Sequence, residues 1–177
     1  KNLNAMGDSG YLITNNKELY NRVKSLRSHG MEDSRDNIKN FGHVSRMDNI
    51  QAAILNFRLK NIKKIITARR KNLEIYLDHL DPKKIYFKKE NLNEYNTYHT
   101  FVIQVEQRDK LKEFLKQKGV ATAIHYPVPI HLQKASKDFG YSKNDFPETE
   151  SQSKKILTLP INQFLKKKSV KASEFVD

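Results

Sequence analysis

Cysteine is absent from this chain of 177 residues, glycine and proline are sparse at 6 and 5, and no long apolar run occurs. Without thiols there is no disulfide framework, no thiolate nucleophile and no sulfur-ligated metal, a pattern that fits a reducing cytoplasm. No apolar stretch approaches the roughly 20 residues that span a bilayer, and the start lacks the basic-then-apolar pattern of a secretory signal. A membrane is therefore not expected as a partner, and a cytoplasmic location is. None of the six histidines stands in HExxH spacing, and His125 and His131 are separated by Pro127 and Pro129. No metal site is expected. Neither GxGxxG nor GxxxxGK(S/T) occurs, which leaves a Rossmann dinucleotide site or a P-loop without support.

What is present is ordinary for a folded protein, with 37% apolar and 10% aromatic residues. A chain of this length buries a real core, and against a modal domain of roughly 100–150 residues it predicts one main domain plus an appendage. The net charge of +13 invites a nucleic-acid reading, since clustered Lys and Arg neutralise phosphates. Here the cations are dispersed, as at Lys60, Lys63, Lys64 and Lys71, and nucleic acid is not the favoured partner. The same surplus would help attract a diphosphate-bearing substrate.

The opening Lys1-Asn2-Leu3-Asn4-Ala5-Met6-Gly7-Asp8-Ser9-Gly10 is punctuated by glycine and leads into Tyr11-Leu12-Ile13-Thr14, which reads as a buried strand. From Asn16 to His29, Leu19, Val23 and Leu26 recur at helical spacing, with Asn15 or Asn16 to cap the start and Gly30 to end it. Residues 31–44 form a long polar loop. Ser45 is placed to cap a long helical stretch marked by Met47, Ile50, Ile54, Phe57, Ile62, Ile65 and Leu73, which Asp81-Pro82 stops. Beyond it, Phe101, Ile103 and Val105 alternate as a strand, and Arg108–Lys118 carries Leu111, Phe114 and Leu115 on one helical face. Gly119 then precedes an expected strand from Val120 to Tyr126, Pro147 opens a last helix, and Leu157–Pro160 is a short apolar segment before a lysine-rich tail.

Three features invite chemical readings. Gly7-Asp8-Ser9-Gly10 matches the string around a serine-protease nucleophile, but that chemistry also needs a base histidine and its carboxylate, and a glycine turn explains the string better. Ile124-His125-Tyr126-Pro127-Val128-Pro129 places two ring donors at the end of a predicted strand, where ligands are often held. From the residues alone, a proline-stiffened turn is the preferred reading. Lys1 is one lysine among many, and the desolvated environment that a Schiff-base lysine needs is not visible in sequence.

Taken together, Lys1 to Asn15, Leu26-Arg27-Ser28-His29-Gly30, and Gly42-His43-Val44-Ser45-Arg46-Met47-Asp48-Asn49-Ile50-Gln51-Ala52-Ala53-Ile54-Leu55 resemble the DegT-type sugar-nucleotide aminotransferases in order and spacing. Thr100-Phe101-Val102-Ile103-Gln104, Arg108-Asp109 and Ile124-His125-Tyr126-Pro127 fit as well. The resemblance implies an α/β fold of the aspartate-aminotransferase type (fold type I). Residues 1–44 would end the large cofactor-binding domain, residues 45–81 form a long linking helix, and residues 82–177 make the small C-terminal α/β domain.

It also implies pyridoxal phosphate as cofactor, with Lys1 as the lysine that forms a Schiff base with it and then shuttles a proton as general base and acid. A histidine in place of that lysine would mark the related sugar dehydratases. By the same resemblance the stretch from Gly42 to Asp48 reaches into the site of a second subunit, so a homodimer is implied and a single chain should be inactive. Val44 stands where the family often has an asparagine on the cofactor phosphate, which leaves Ser45, Arg46 or a backbone amide for that contact. His125 and Tyr126 match positions that approach the sugar, and Arg35 could face the substrate diphosphate. The implied reaction moves an amino group from an amino-acid donor, commonly glutamate, to C3 or C4 of a nucleotide-diphosphate-linked 6-deoxy keto sugar. The family groups that pair with the pyridine nitrogen and stack on the ring precede the Lys-Asn-Leu motif. The rival readings are a sensor or binding module that keeps the fold without transamination, and a basic nucleic-acid binder.

Overall fold

Asn16 begins the first helix as the pattern predicts: its side-chain Oδ1 accepts from the backbone N–H of Leu19 at 3.0 Å, satisfying one of the amides that a helix start leaves unpaired. In this computed structural model, which describes residues 1–165, helix α1 covers Lys17–Leu26. Gly30 follows in the left-handed region at φ 81°, and its amide donates to Ser25 O at 2.9 Å.

The long helical stretch is two helices, α2 (Asn49–Leu59) and α3 (Ile62–His79), separated by a turn in which Asn61 N bonds Arg58 O. Ser45 does not cap it. Its amide is committed to Arg27 O at 3.0 Å in an extended pairing, so the helix starts only after Asp48. Tyr11–Thr14 is not a strand either. A run of consecutive apolar residues needs neighbouring strands for its amides, and among the described residues none pairs with it; Tyr11 and Ile13 remain 82% and 85% exposed.

The described residues divide into two compact units, one of Lys1 and Leu3–Ile62, the other of Asn2 and residues 63–165. The second unit holds the core. Strands β1 (Phe101–Gln104) and β2 (Ile156–Leu159) pair antiparallel with Phe101 opposite Leu159 and Gln104 opposite Ile156. Single bridges widen this ladder on both sides, Tyr86 to Gln104 and Ala123 to Thr158. The expected strand from Val120 to Tyr126 is thus reduced to one bridged residue.

Helix α3 turns Arg69, Asn72, Leu73 and Tyr76 inward, the spacing of one helical stripe that Leu80 continues just past its end. Tyr76, Ile85, Ile103, Leu115 and Leu157 are the largest fully buried side chains, each stabilising the unit by roughly 1.5–3 kcal/mol through burial. The polar members of the stripe hold the segment after β2. Arg69 donates to Gln163 Oε1 at 3.2 Å, Asn72 to Asn162 O at 2.8 Å, and the Tyr76 hydroxyl to Pro160 O at 2.7 Å.

Helix α4 (Arg108–Gln117) packs Leu115 into this core and ends in a Schellman motif: Gly119 at φ 77°, with Val120 N to Leu115 O and Gly119 N to Lys116 O. Helix α5 (Pro147–Lys155) begins at the proline that the sequence marked. The lysine-rich tail beyond residue 165 lies outside the described residues. Among the described residues no helix is long and apolar enough to cross a membrane.

Candidate functional site

In the first unit, two glycines let the chain fold back on itself. A Cβ on Gly30 would lie 1.6 Å from Asn40 O, and one on Gly42 would lie 2.5 Å from Leu26 O. Only residues without Cβ permit that approach. It brings the two segments Leu26–Gly30 and Gly42–Met47 side by side, joined by His43 N to Leu26 O at 2.8 Å, His29 N to His43 O at 3.2 Å and Ser45 N to Arg27 O at 3.0 Å.

This pairing forms one wall of an open cleft of about 800 Å³. Asp8 to Leu12 line it from the glycine-rich opening, Tyr20, Val23 and Lys24 from α1, Arg27 from just beyond that helix, and Val44 to Met47 from the paired segment. Ser45 and Arg46, both expected near a phosphate, therefore sit in one cleft with Lys24 and Arg27. Those last two cations were missed from sequence. Lys24 lies in the last turn of an amphipathic helix, and nothing in its spacing separates it from a solvated surface lysine. Three cations and the hydroxyl-bearing residues Ser9 and Ser45 face an open space, with Asp8 as the one acidic residue of the lining.

Lys1 is exposed and does not line this cleft. Its neighbour Asn2 is tied down, donating from Nδ2 to Thr97 Oγ1 at 2.7 Å. Met6 is held by both ends of its peptide group to the Gln51 side chain. Arg35 is exposed in the loop, outside the cleft, where Lys39 pairs with Glu32 at 2.8 Å.

In the second unit, His125 and Tyr126 stand together at the end of the segment bridged to β2, with ring centroids 5.4 Å apart and edge to face. Both are exposed, and His125 Nδ1 lies 2.9 Å from Thr158 Oγ1. The following segment is anchored below them. Buried His131 meets Glu150 Oε1 at 3.1 Å and packs on Phe146 at 4.8 Å, and Asn144 N donates to the same carboxylate at 2.6 Å. Burial alone would push the Glu150 carboxyl up; the hydrogen bonds from His131 and from the Asn144 amide outweigh it and hold the group below the ordinary carboxylate range.

A second cavity of about 500 Å³ in this unit contains a clasp that sequence reading did not find. Arg70 donates to both oxygens of Glu90 at 2.9 and 2.8 Å and stacks over Tyr95 at 4.5 Å. Bonds from Arg70 and from the Asn96 amide hold the Glu90 carboxyl at about 2. Its charges satisfy each other, so the clasp closes a loop onto α3 and offers no unpaired carboxylate.

The profile of the DegT/DnrJ/EryC1/StrS aminotransferase family matches residues 1–172. The chain belongs to that family. Within it, a Geobacillus stearothermophilus protein named "pleiotropic regulatory protein" is 36% identical over 173 residues, covering 94% of this chain and 45% of the relative. The dTDP-3-amino-3,6-dideoxy-alpha-D-galactopyranose transaminase of Aneurinibacillus thermoaerophilus is 32% identical over 161 residues, covering 91% of this chain and 44% of the relative. Among solved structures, S. venezuelae DesV in complex with a ketimine intermediate matches with a TM-score of 0.90 at 31% identity, over 100% of this chain and 50% of that one. The mixed α/β fold expected from the resemblance agrees with this likeness. The chain spans about half the length of the relatives it matches.

Proposed function

We propose that this chain takes part in a pyridoxal-phosphate-dependent amino transfer to a keto group of a nucleotide-diphosphate-linked deoxy sugar, at C3 or C4, with glutamate as donor. The observation that carries the reading is the cleft of the first unit. Three cations together with the Ser9 and Ser45 hydroxyls, among the four hydroxyl-bearing residues of the lining, form a donor set suited to a phosphate dianion. That donor set fits the phosphate end of the cofactor, with Ser45 and Arg46 as the ligands and Lys24 and Arg27 adding positive field.

Bound pyridoxal phosphate would supply the electron sink for amino transfer. Lys1 would hold the cofactor covalently and, once released, move a proton at its Nζ as general base and acid. His125 and Tyr126 would contact the sugar, and Arg35 the diphosphate. That Lys1 does not line the cleft of Ser45 and Arg46 accords with a site shared between two copies, each giving its lysine to one site and its cleft to the other. A homodimer in the cytoplasm is the assembly this reading requires.

The test uses the protein at its natural length, wild type and Lys1→Ala, mixed with pyridoxal phosphate. The wild type should show a visible band that glutamate bleaches and, after borohydride reduction, a cofactor mass on the Lys1 peptide; the variant should show neither. A wild type without band or adduct would sink the reading. The rival reading, the same fold used as a sensor without amino transfer, makes a different forecast. Cofactor binding without bleaching by any amino acid would be its signature.

A further inference from the structure

Thr158 is a polar residue in an apolar strand, flanked by Leu157 at 0% and Leu159 at 2% exposure and itself only 8% exposed. A buried hydroxyl needs a partner. Among the described residues, the partner of Thr158 Oγ1 is His125 Nδ1, at 2.9 Å. The contact is held from both backbones: Ala123 N donates to Thr158 O at 3.1 Å and Thr158 N to Ala123 O at 2.7 Å, while Val102 pairs with Thr158 from the other side. Hydroxyl and ring are thus presented to each other by the sheet, not by a chance rotamer. The His125 side chain is otherwise exposed.

We infer that Thr158 is a positioning residue for His125, engaging Nδ1 so that the outward-facing Nε2 carries the proton and donates to an acceptor oxygen of the ligand. A threonine hydroxyl both donates and accepts. Among the described residues Nδ1 is the one acceptor within reach of this buried hydroxyl's proton, so toward a neutral ring the hydroxyl donates to Nδ1, which places the ring proton on Nε2. Toward a protonated ring it accepts from Nδ1–H, and Nε2 again bears a proton. In both states the ring offers an N–H outward, which suits a sugar hydroxyl, a carbonyl or a phosphate oxygen and disfavours a hydrogen-bond donor there. An imidazole without that contact would be free to exchange tautomers and flip, so a share of its encounters would present an acceptor instead.

The ligand half of this inference rests on the reading of His125 as a contact to the nucleotide sugar, and the test separates the two. The protein at its natural length, loaded with cofactor and labelled with 15N-histidine, is compared as wild type, Thr158→Val, Thr158→Ser and His125→Ala, the last assigning the resonances. Wild type and Thr158→Ser should show His125 in the Nε2–H form. Thr158→Val should lose that preference and bind a thymidine- or uridine-diphosphate sugar about twofold more weakly, as a competent share of about one half gives, whereas His125→Ala should lose about fivefold to tenfold, the size of one hydrogen bond. Thr158→Ala replaces the valine variant should the latter not fold. An unchanged His125 tautomer without the hydroxyl overturns the inference. A changed tautomer with sugar-nucleotide binding untouched in both Thr158→Val and His125→Ala upholds the positioning and instead removes His125 from the substrate site.

Discussion

Gly42 lies so close to Gly30 that a Cβ added to Gly42 would stand 2.4 Å from the Gly30 amide nitrogen. Neither backbone can retreat without breaking the bonds between Leu26–Gly30 and Gly42–Ser45 that set Ser45 and Arg46 into their cleft. Gly42→Ala is expected to destabilise the first unit by about 1–3 kcal/mol, the usual range for overpacking. Urea unfolding followed by tyrosine fluorescence measures it. A midpoint equal to that of the wild type would show that the glycine approach is not needed.

The Arg46 side chain tests the cleft as a phosphate site. Arg46→Ala should weaken pyridoxal phosphate binding about tenfold, the size of one charge-assisted contact, with Arg46→Lys recovering part of the loss. Titration of the cofactor at two salt concentrations reads it, because removing a cation should also flatten the salt dependence. Equal affinity in wild type and Arg46→Ala would take Arg46 out of the cofactor site.

Acid should open the clasp on α3. The Glu90 carboxyl is lowered from 4.5 to about 2, first by the Arg70 hydrogen bond and then by the Asn96 amide. A carboxyl held below its free value contributes stability above that free value and loses it as pH falls toward the folded one. The second unit should therefore weaken between about pH 4.5 and pH 2, and Glu90→Gln should flatten that part of the profile while leaving other carboxylates to titrate. Thermal unfolding across this range checks it; parallel profiles for wild type and variant would contradict the clasp.

The Tyr76 hydroxyl offers a narrower measurement. It is buried, donates to Pro160 O at 2.7 Å, and burial raises its ionisation above the ordinary tyrosine value. Tyr76→Phe keeps the ring in the core and leaves the carbonyl unpaired, which should cost about 1–2 kcal/mol by chemical denaturation. A neutral substitution would mean that the carbonyl finds another donor.

Much of the local structure was legible in the sequence. Asn16, Gly119 and Pro147 begin or end helices where their side chains, or the lack of one, act within a turn of their own position, whereas the first helix, expected to run to His29 and Gly30, stops at Leu26. Such signals are short-ranged, so pattern reading reaches them. The strand expected at Tyr11–Thr14 and the cap expected at Ser45 failed for the opposite reason: a strand is made by its neighbours, and Ser45 is held in an extended pairing with Arg27, so the helix begins only at Asn49.

The candidate site divides the same way. From the amino-acid sequence alone came the family, the order of its motifs, and Lys1, Ser45, Arg46, His125 and Tyr126 as residues of interest, since residue type and spacing along the chain are enough to match a motif. Only the tertiary structure put Lys24 and Arg27 beside Arg46, closed Arg70 on Glu90, and set Thr158 under His125, the last pair 33 residues apart in the chain. Those relations depend on backbone hydrogen bonds between distant segments. No periodicity records them, because the energy that decides them is shared by two stretches of chain at once.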